Sequence, residues 1–249
     1  MWQLFKAETC RLLKRWPRWI VLAIVTALLM FRHMYNIPVQ GVGFYQLLDF
    51  TKCNLFELVI FVLFFMEGFF AFSDEHKAGI FKAAIGSGIG RHEIVISKIL
   101  TAACMVLLDI ALIAITALAV NLITPIFAME PLNVYVAFVR LMICWLKVVF
   151  YLCLAGLMIY LTKHPAIGLI TALILMTPLT NMGLKMLLTL DVFRGLNLTA
   201  MTPFALFDQL EASMTLGIFN PWIFLILTAV GTLMVYGAVM VFKKQELDF

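Results

Sequence analysis

Charged side chains inside long apolar stretches are the residues of this sequence that could do chemistry. A charge near the middle of a lipid bilayer costs at least about 2.5 to 3.5 kcal/mol, so it is normally paired or wetted. Two interpretations stay open: static ion pairs between helices, or a path for a substrate or a proton. Two of the charges are bases seven residues apart, and the three carboxylates are their available partners. The five residues are Glu57, Glu67, Asp109, Arg140 and Lys147.

Motifs for nucleotide or metal chemistry are missing from the sequence. There is no G-x-x-x-x-G-K-[ST] segment, so we expect neither a nucleotide-binding site nor an enzymatic activity in this chain. His92-Glu93 begins like the zinc motif H-E-x-x-H, but Ile96 stands where the second histidine is needed. The five cysteines form no CxxC pair, and we expect no metal site and no disulfide framework.

The most charged connection of the chain runs from Phe72 to Leu100. Ser73 and the two acids after it favour the start of a short helix, because a hydroxyl caps free amides and carboxylates complement the helix dipole. This helix carries an apolar stripe in a solvated loop, and such a stripe must be buried against another surface. We expect another protein to provide that surface. The segment Gly86-Ser87-Gly88 then ends the helix. The stripe consists of Ile80, Phe81, Ala84 and Ile85.

This loop resembles the coupling loop of type 2 ABC-transporter permeases. The resemblance lies in Glu75, Gly79, Lys82, a small turn at Gly88, Arg91, and Ser97-Lys98 before a long apolar helix. The span number, the loop sizes and the segment FKKQELDF also resemble small six-span permeases, some of which confer immunity to peptide antibiotics such as lantibiotics. The coupling residues that the resemblance implies are Glu75, Gly79, Ile80, Phe81, Lys82, Ile85, Gly88 and Arg91.

The same resemblance implies partners. In that family the loop after the second span presses on a separate cytoplasmic ATPase subunit, which holds ATP and Mg. The complex contains two such subunits and two permease chains, which are identical or sister chains. This chain would therefore carry no cofactor of its own.

Composition places these features in an integral membrane protein. Hydrophobic residues make up 64% of the 249 residues and charged residues only 13%, far more apolar than a soluble domain. The positive charge is spread along the chain, so nucleic acid is not an expected partner. We predict one all-α permease domain, residues 1–249, with six transmembrane helices. The predicted spans are about 17–37, 55–72, 99–121, 141–161, 166–184 and 222–242.

The lysines and arginines predict the orientation. Residues 1–18 form an amphipathic, basic interfacial helix. The segments between the predicted spans lie alternately on the two sides of the membrane. The side that contains residues 1–18 holds twelve lysines and arginines, and the opposite side holds four. By the positive-inside rule, both termini and the coupling loop 73–98 are cytoplasmic in a multi-pass protein of the cell membrane.

Two further features concern the second half of the chain. Thr177-Pro178 interrupts the fifth span, and because proline removes a backbone hydrogen bond we expect a kink there, which serves packing or gates a path. Residues 185–220 mix apolar clusters with charges, which favours short helices that dip back at the outer leaflet. An ordinary outer loop is the alternative.

The predicted function is the membrane half of an ATP-driven exporter that moves an amphipathic substrate outward, whether a peptide antibiotic, a drug or a lipid. An ion-coupled secondary transporter is one alternative, with Glu57, Asp109 and Lys147 as a proton relay, although the halves show no internal repeat. A non-transporting immunity or signalling protein is the other, and it would need only a docking surface.

Overall fold

The computed structural model describes residues 1–35, 61–72, 86, 88–123, 131–188 and 198–244. All regular structure in these ranges is helical, without a strand, so the all-α class is confirmed for them. The helices are α1 (Trp2–Leu13), α2 (Trp16–Tyr35), α3 (Phe61–Phe72), α4 (Arg91–Ile123), α5 (Pro131–Thr162), α6 (Pro165–Met176), α7 (Pro178–Leu188), a short 3-10 helix (Leu198–Met201), α8 (Pro203–Thr215) and α9 (Pro221–Lys244).

Three helices are long and apolar enough to cross a membrane. Their apolar parts are Arg91–Thr116 in α4, Tyr135–Thr162 in α5 and Pro221–Lys244 in α9, with 26, 28 and 24 residues. They contain most of the predicted spans 99–121, 141–161 and 222–242. The other three predicted spans overlap the shorter apolar segments Trp16–Leu28, Phe61–Phe72 and Pro165–Met176. The predicted span 55–72 is described only from residue 61, and the predicted span 166–184 is interrupted at Thr177, so six spans stay a prediction.

The predicted amphipathic helix over residues 1–18 is shorter than expected. Helix α1 ends at Leu13, and α2 begins at Trp16 with Pro17 in its first turn. Proline is tolerated there because the first amides of a helix have no intrahelical acceptor, so Pro17 starts a new helix instead of continuing the old one. Helix α1 packs against α4 and buries Leu12 completely.

Helix α5 lies at the centre of the bundle and packs against α4, α6, α8 and α9. It forms a hairpin with α6 through a turn in which Lys163 adopts a left-handed conformation, with φ of 58°. Gly168 of α6 faces the backbone of Ile159, and a Cβ atom at residue 168 would lie 2.6 Å from the Ile159 nitrogen. The hairpin is therefore closed by direct backbone contact, as small residues allow between apolar helices.

The break at Thr177-Pro178 separates two helices. Helix α6 ends at Met176, Thr177 is extended with ψ of 148°, and α7 begins at Pro178. A residue before proline is pushed out of the helical region by the proline ring, which accounts for the extended Thr177. The predicted span 166–184 is thus interrupted and not merely bent.

One end of the bundle gathers several segments that were predicted to lie on the same side. The ring of Tyr160, near the end of α5, lies 6.5 Å from that of Phe72 and 4.8 Å from that of Phe242. Arg91, the first residue of α4, contacts the last turn of α9. At the opposite end, the Tyr135 hydroxyl donates a hydrogen bond to the Met214 carbonyl at the end of α8.

Helix α8, within the region predicted to dip back, runs along α5 in the opposite direction. Pro203 follows the N-cap Thr202, whose hydroxyl accepts a hydrogen bond from the Ala205 amide. The Phe207 ring lies 5.7 Å from that of Phe150, and the other end of α8 reaches Tyr135. At 1.5 Å per residue, α8 covers about 20 Å of the length of α5.

Candidate functional site

Three charged side chains meet inside the bundle where α2, α3 and α4 come together. The Arg18 Nε donates a hydrogen bond of 2.6 Å to Glu67 Oε1. The Arg18 Nη2 donates to Asp109 Oδ1. All three residues are 0% exposed. One guanidinium thus bridges two carboxylates from different helices, and we call this group the Arg18 cluster.

Helix geometry aims Arg18 inward. Leu22 and Val25, four and seven residues further along α2, are also buried and share its face. The guanidinium carbon lies 5.0 Å from the centre of the Trp19 ring, and the Trp19 indole N–H donates to the Leu13 carbonyl at the end of α1. The aromatic ring and the turn between α1 and α2 therefore hold the cation in place.

The cluster contains more acid than base. With both carboxyl groups ionised it would carry one net negative charge, and both carboxyl groups accept hydrogen bonds from the same guanidinium. Arg18 Nη1, Glu67 Oε2 and Asp109 Oδ2 are buried and have no hydrogen-bond partner among the described residues. Buried polar atoms are normally satisfied, so these three atoms mark a group with unfilled bonding capacity.

The pairing differs from the one expected from the sequence. Glu67 and Asp109 were the predicted partners of the bases on α5, but both bind Arg18. Arg18 belongs to the segment 1–18, which the sequence predicts to be a basic interfacial helix. Glu67, near the end of α3, is fully buried. The sequence signal for an inward Arg18 was its helical spacing from the apolar residues Leu22 and Val25.

The two bases on α5 find their partners on α8. Arg140 Nε donates a hydrogen bond of 3.0 Å to Glu211 Oε1, in a pair whose side chains are 16% and 39% exposed. The Lys147 ammonium lies 5.0 Å from the centre of the Phe204 ring. These contacts could not be read from the sequence because nothing in it places α8 alongside α5. Glu57, the remaining predicted intramembrane charge, lies outside the described residues.

The end of the predicted coupling loop is attached to two helices. Gly88 has φ of 86°, a left-handed conformation that suits glycine and makes the turn ahead of α4. Arg91 Nη1 donates hydrogen bonds of 3.1 and 2.9 Å to the carbonyls of Phe242 and Lys243. The last carbonyls of a helix lack intrahelical donors, so this cation caps α9. The predicted coupling residues Glu75, Gly79, Ile80, Phe81, Lys82 and Ile85 lie outside the described residues.

Ser97 and Lys98, which belong to the same sequence pattern, face inward. They are 0% and 2% exposed. The Lys98 ammonium donates a hydrogen bond of 2.9 Å to the Ala71 carbonyl and lies 3.7 Å from Glu8 Oε1. Lys98 therefore joins α1, the end of α3 and α4, and it does not present itself to a docking partner.

The helix break has its own hydrogen bonds. The Thr177 and Thr180 hydroxyls both donate to the Ile174 carbonyl, at 2.7 and 2.6 Å. Proline at 178 cannot donate an amide hydrogen bond to the Ile174 carbonyl, which instead accepts from the Thr177 amide and from the two hydroxyls. Thr177 and Pro178 thus form a stable interruption of the apolar segment.

An apolar cavity of about 400 Å³ opens between α4, α5, α8 and α9. The hydroxyls at its edge are occupied within α9, since Thr228 donates to Phe224 and Thr232 donates to Thr228. The cavity suits an apolar group of a ligand. Its lining includes Leu146, Phe150, Phe207, Leu227, Gly231 and Val235.

Comparisons with family models, with curated proteins and with solved structures found no match to this chain. The resemblance to ABC permeases accordingly stays a prediction. In the part of the chain that the structure describes, no group of three His, Cys, Asp or Glu side chains is placed to hold a metal ion. The structural features that bear on function are the Arg18 cluster, the contacts of Arg91 and the apolar cavity.

Proposed function

We propose that this chain is the membrane-spanning permease subunit of an ATP-driven ABC exporter. It works with a second permease chain and with two copies of a cytoplasmic ATPase subunit, which supply ATP and Mg. The proposal combines the resemblance of the loop with one structural observation, the double attachment of Arg91. Six membrane crossings and cytoplasmic termini are part of the proposal.

The contacts of Arg91 explain how a push on the loop would move the bundle. Arg91 begins α4, and its guanidinium holds the last carbonyls of α9. Both helices are long enough to cross a membrane. A displacement of the loop in front of Gly88 would therefore act on two long helices together. That is the mechanical requirement for an ATPase that works on a separate membrane chain.

The charge of the same end supports a cytoplasmic orientation. Lys243 and Lys244 end α9, Arg91 begins α4, and Lys163 lies in the turn after α5. The ends of α3, α5 and α9 meet there through the rings of Phe72, Tyr160 and Phe242. Cations concentrated at one end of a helical bundle favour the cytoplasmic side.

The cavity between α5 and α9 supports an amphipathic substrate. Its volume of about 400 Å³ lies within the range of about 300 to 1,000 Å³ that is typical of small-molecule sites. It offers apolar lining and occupied hydroxyls, so it would receive the apolar part of a peptide antibiotic, a drug or a lipid. The polar part would stay at the open side.

The decisive test substitutes the predicted aromatic anchor of the coupling loop. Interface energy concentrates in central aromatic residues, where truncation costs on the order of 2 kcal/mol or more. We expect Phe81→Asp to insert normally but to lose the ATPase during purification of the complex. Arg91→Ala should keep the ATPase bound and lower substrate-stimulated hydrolysis, because the loop is then detached from α9.

Phe219→Asp is the matched control, since Phe219 is an exposed phenylalanine between α8 and α9. Phe219→Asp makes the same change of size and charge as Phe81→Asp, but at a residue outside the coupling loop. Recovery of the ATPase with Phe81→Asp at the wild-type level would contradict the proposal. If the stripe contacts lipid headgroups instead, Phe81→Asp would loosen the local contact of the loop with the membrane and would not change the recovery of the ATPase.

An ion-coupled secondary transporter is the second candidate, and the buried Arg18 cluster favours it. Buried acids that share a site with a base are common in proton-driven transport. Transport into inverted vesicles separates the two functions. A proton gradient alone would drive a secondary transporter, whereas the exporter would need ATP and its partner subunit.

A further inference from the structure

We propose that the Arg18 cluster is a proton-binding site, in which one proton is shared between the carboxyl groups of Glu67 and Asp109. The proton makes the cluster electrically neutral inside the bundle. This inference concerns the resting protein and does not depend on which energy source drives transport.

The first argument is the charge balance. Arg18 contributes one positive charge and the two acids contribute two negative charges when ionised, and none of the three side chains is exposed. A net charge buried away from water is far more costly than a neutral group, and a buried ionisable group usually loses its charge instead of keeping it. One proton is the smallest addition that removes the charge.

The second argument is geometric. The carboxyl groups of Glu67 and Asp109 accept hydrogen bonds from one guanidinium, and each retains one buried oxygen without a partner among the described residues. Two ionised carboxylates on one guanidinium repel each other, whereas a protonated carboxyl donates to an ionised one. The proton taken from water forms an O–H bond on one carboxyl and a hydrogen bond to the other. Both unpartnered oxygens are thereby accounted for.

The surroundings favour a proton over a metal ion. Hard metal cations take about six or more oxygen ligands, and the cluster offers two unpartnered oxygens beside a guanidinium. The described charges that act on Asp109 are Glu67 from α3 and Arg18 from α2. A proton needs only the two oxygens, and it tolerates the adjacent cation because it leaves the pair neutral.

Burial also determines how the proton exchanges. Each member of the cluster comes from a different helix, and all are closed off from solvent. The proton can leave only when α2 separates from α3 and α4. Binding of the proton therefore stabilises the packed position of α2, and release accompanies its displacement.

Infrared spectroscopy of the purified protein in lipid nanodiscs tests the proposal directly. Above about pH 6 exposed carboxyl groups are ionised, so a protonated carboxyl C=O band reports a buried proton. We expect the band of one carboxyl in the wild type at neutral pH. It should disappear in Asp109→Asn and in Glu67→Gln, which leave one acid with Arg18. It should double in Arg18→Gln, where both acids must be neutral.

Glu93→Gln is the matched control, because Glu93 lies on the same helix and is 33% exposed. It should leave the band unchanged.

The pH dependence of stability is a second readout, and it needs only the wild type and Asp109→Asn. The unfolded chain loses its carboxyl protons near pH 4 and so binds fewer protons than the native state at neutral pH. Wild-type stability should therefore fall as the pH rises, and Asp109→Asn should lack that dependence.

Three results would overturn the proposal. The first is the absence of a protonated carboxyl band from the wild type above about pH 6. The second is a band that survives both Asp109→Asn and Glu67→Gln, which would assign the proton to another group. The third is loss of the band when the choline salt of the buffer is replaced by a sodium salt, which would show that the cluster binds a metal cation instead of a proton. If either Asp109→Asn or Glu67→Gln does not fold, the other variant and the wild-type spectrum still test the proposal.

Discussion

The Arg18 cluster and the Arg140–Glu211 pair both join helices, and they differ in burial. The Arg18 cluster links α2, α3 and α4 with no exposure of its side chains. The Arg140–Glu211 pair links α5 and α8 and is open to the surroundings on the Glu211 side, which is 39% exposed. The same kind of guanidinium–carboxylate contact is therefore fully buried in one case and partly exposed in the other. In the first case a missing partner leaves a charge stranded, and in the second case surrounding solvent or headgroups can replace it.

The largest effect is expected for Arg18→Ala. Removing one member of a buried ion pair costs about 3 to 5 kcal/mol, because the remaining charge has no compensation. Here the ionised acid of the cluster would lose its cation and would have to stay charged or take up a second proton, so the free energy of unfolding in detergent should fall by up to about that amount. A measurement by denaturant titration of the purified protein checks it.

A combined variant isolates the electrostatic part of that loss. Adding Glu67→Gln and Asp109→Asn to Arg18→Ala removes all three ionisable groups, so part of the stability should return. No recovery in the triple variant would mean that packing of the arginine stem against Trp19, and not charge, accounts for the effect.

Lys147→Met should have an intermediate effect. The Lys147 ammonium lies over the Phe204 ring, and a cation–π contact of this kind is worth about 0.5 to 2 kcal/mol. The sequence alone suggested that neutralising Glu57, Glu67 or Asp109 would rescue a Lys147 variant. Because Glu67 and Asp109 bind Arg18, we now expect no rescue from either of them.

A double-mutant cycle with Phe204→Leu measures the Lys147 contact itself. If the contact carries the effect, Lys147→Met should destabilise the Phe204→Leu background much less than the wild type. Equal losses in both backgrounds, or rescue by Asp109→Asn, would show that Lys147 acts through another group.

The smallest effect is expected for Arg140→Gln. Partly exposed ion pairs contribute about 0.2 to 1 kcal/mol and weaken with salt. Glu211→Gln should cost a similar amount, and the double variant little more than either. Stabilities measured at low and high salt test this. A loss as large as that of Arg18→Ala would remove the distinction between the two contacts.

Much of the helical framework was predictable because it follows from local chemistry. Long apolar runs predict α4, α5 and α9, since a helix satisfies its own backbone wherever water is absent. Thr162 to Pro165 is too short for anything but a hairpin between α5 and α6. Thr177-Pro178 predicts an interruption because proline cannot continue the hydrogen-bond ladder. The interruption is a complete break, since the residue before proline also leaves the helical region.

The candidate site was predictable only in part. Glu67 and Asp109 stood out because a carboxylate inside an apolar stretch needs a partner, and both belong to the cluster. Arg18 was missed because it follows four other cations in the sequence and was counted as one more residue of the basic interfacial helix. The partners of Arg140 and Lys147 were missed because α8 is short and its position beside α5 has no local signal.

The sequence by itself determined which residues are helical, where apolar runs stop, and that charges inside those runs need compensation. These properties depend on neighbours within a few residues along the chain. The tertiary structure alone decided which acid pairs with which base. Glu67 and Asp109 lie 49 and 91 residues after Arg18 in the sequence, yet both accept hydrogen bonds from it. Helix packing brings them together, and in a medium without water an acid pairs with the base that packing delivers.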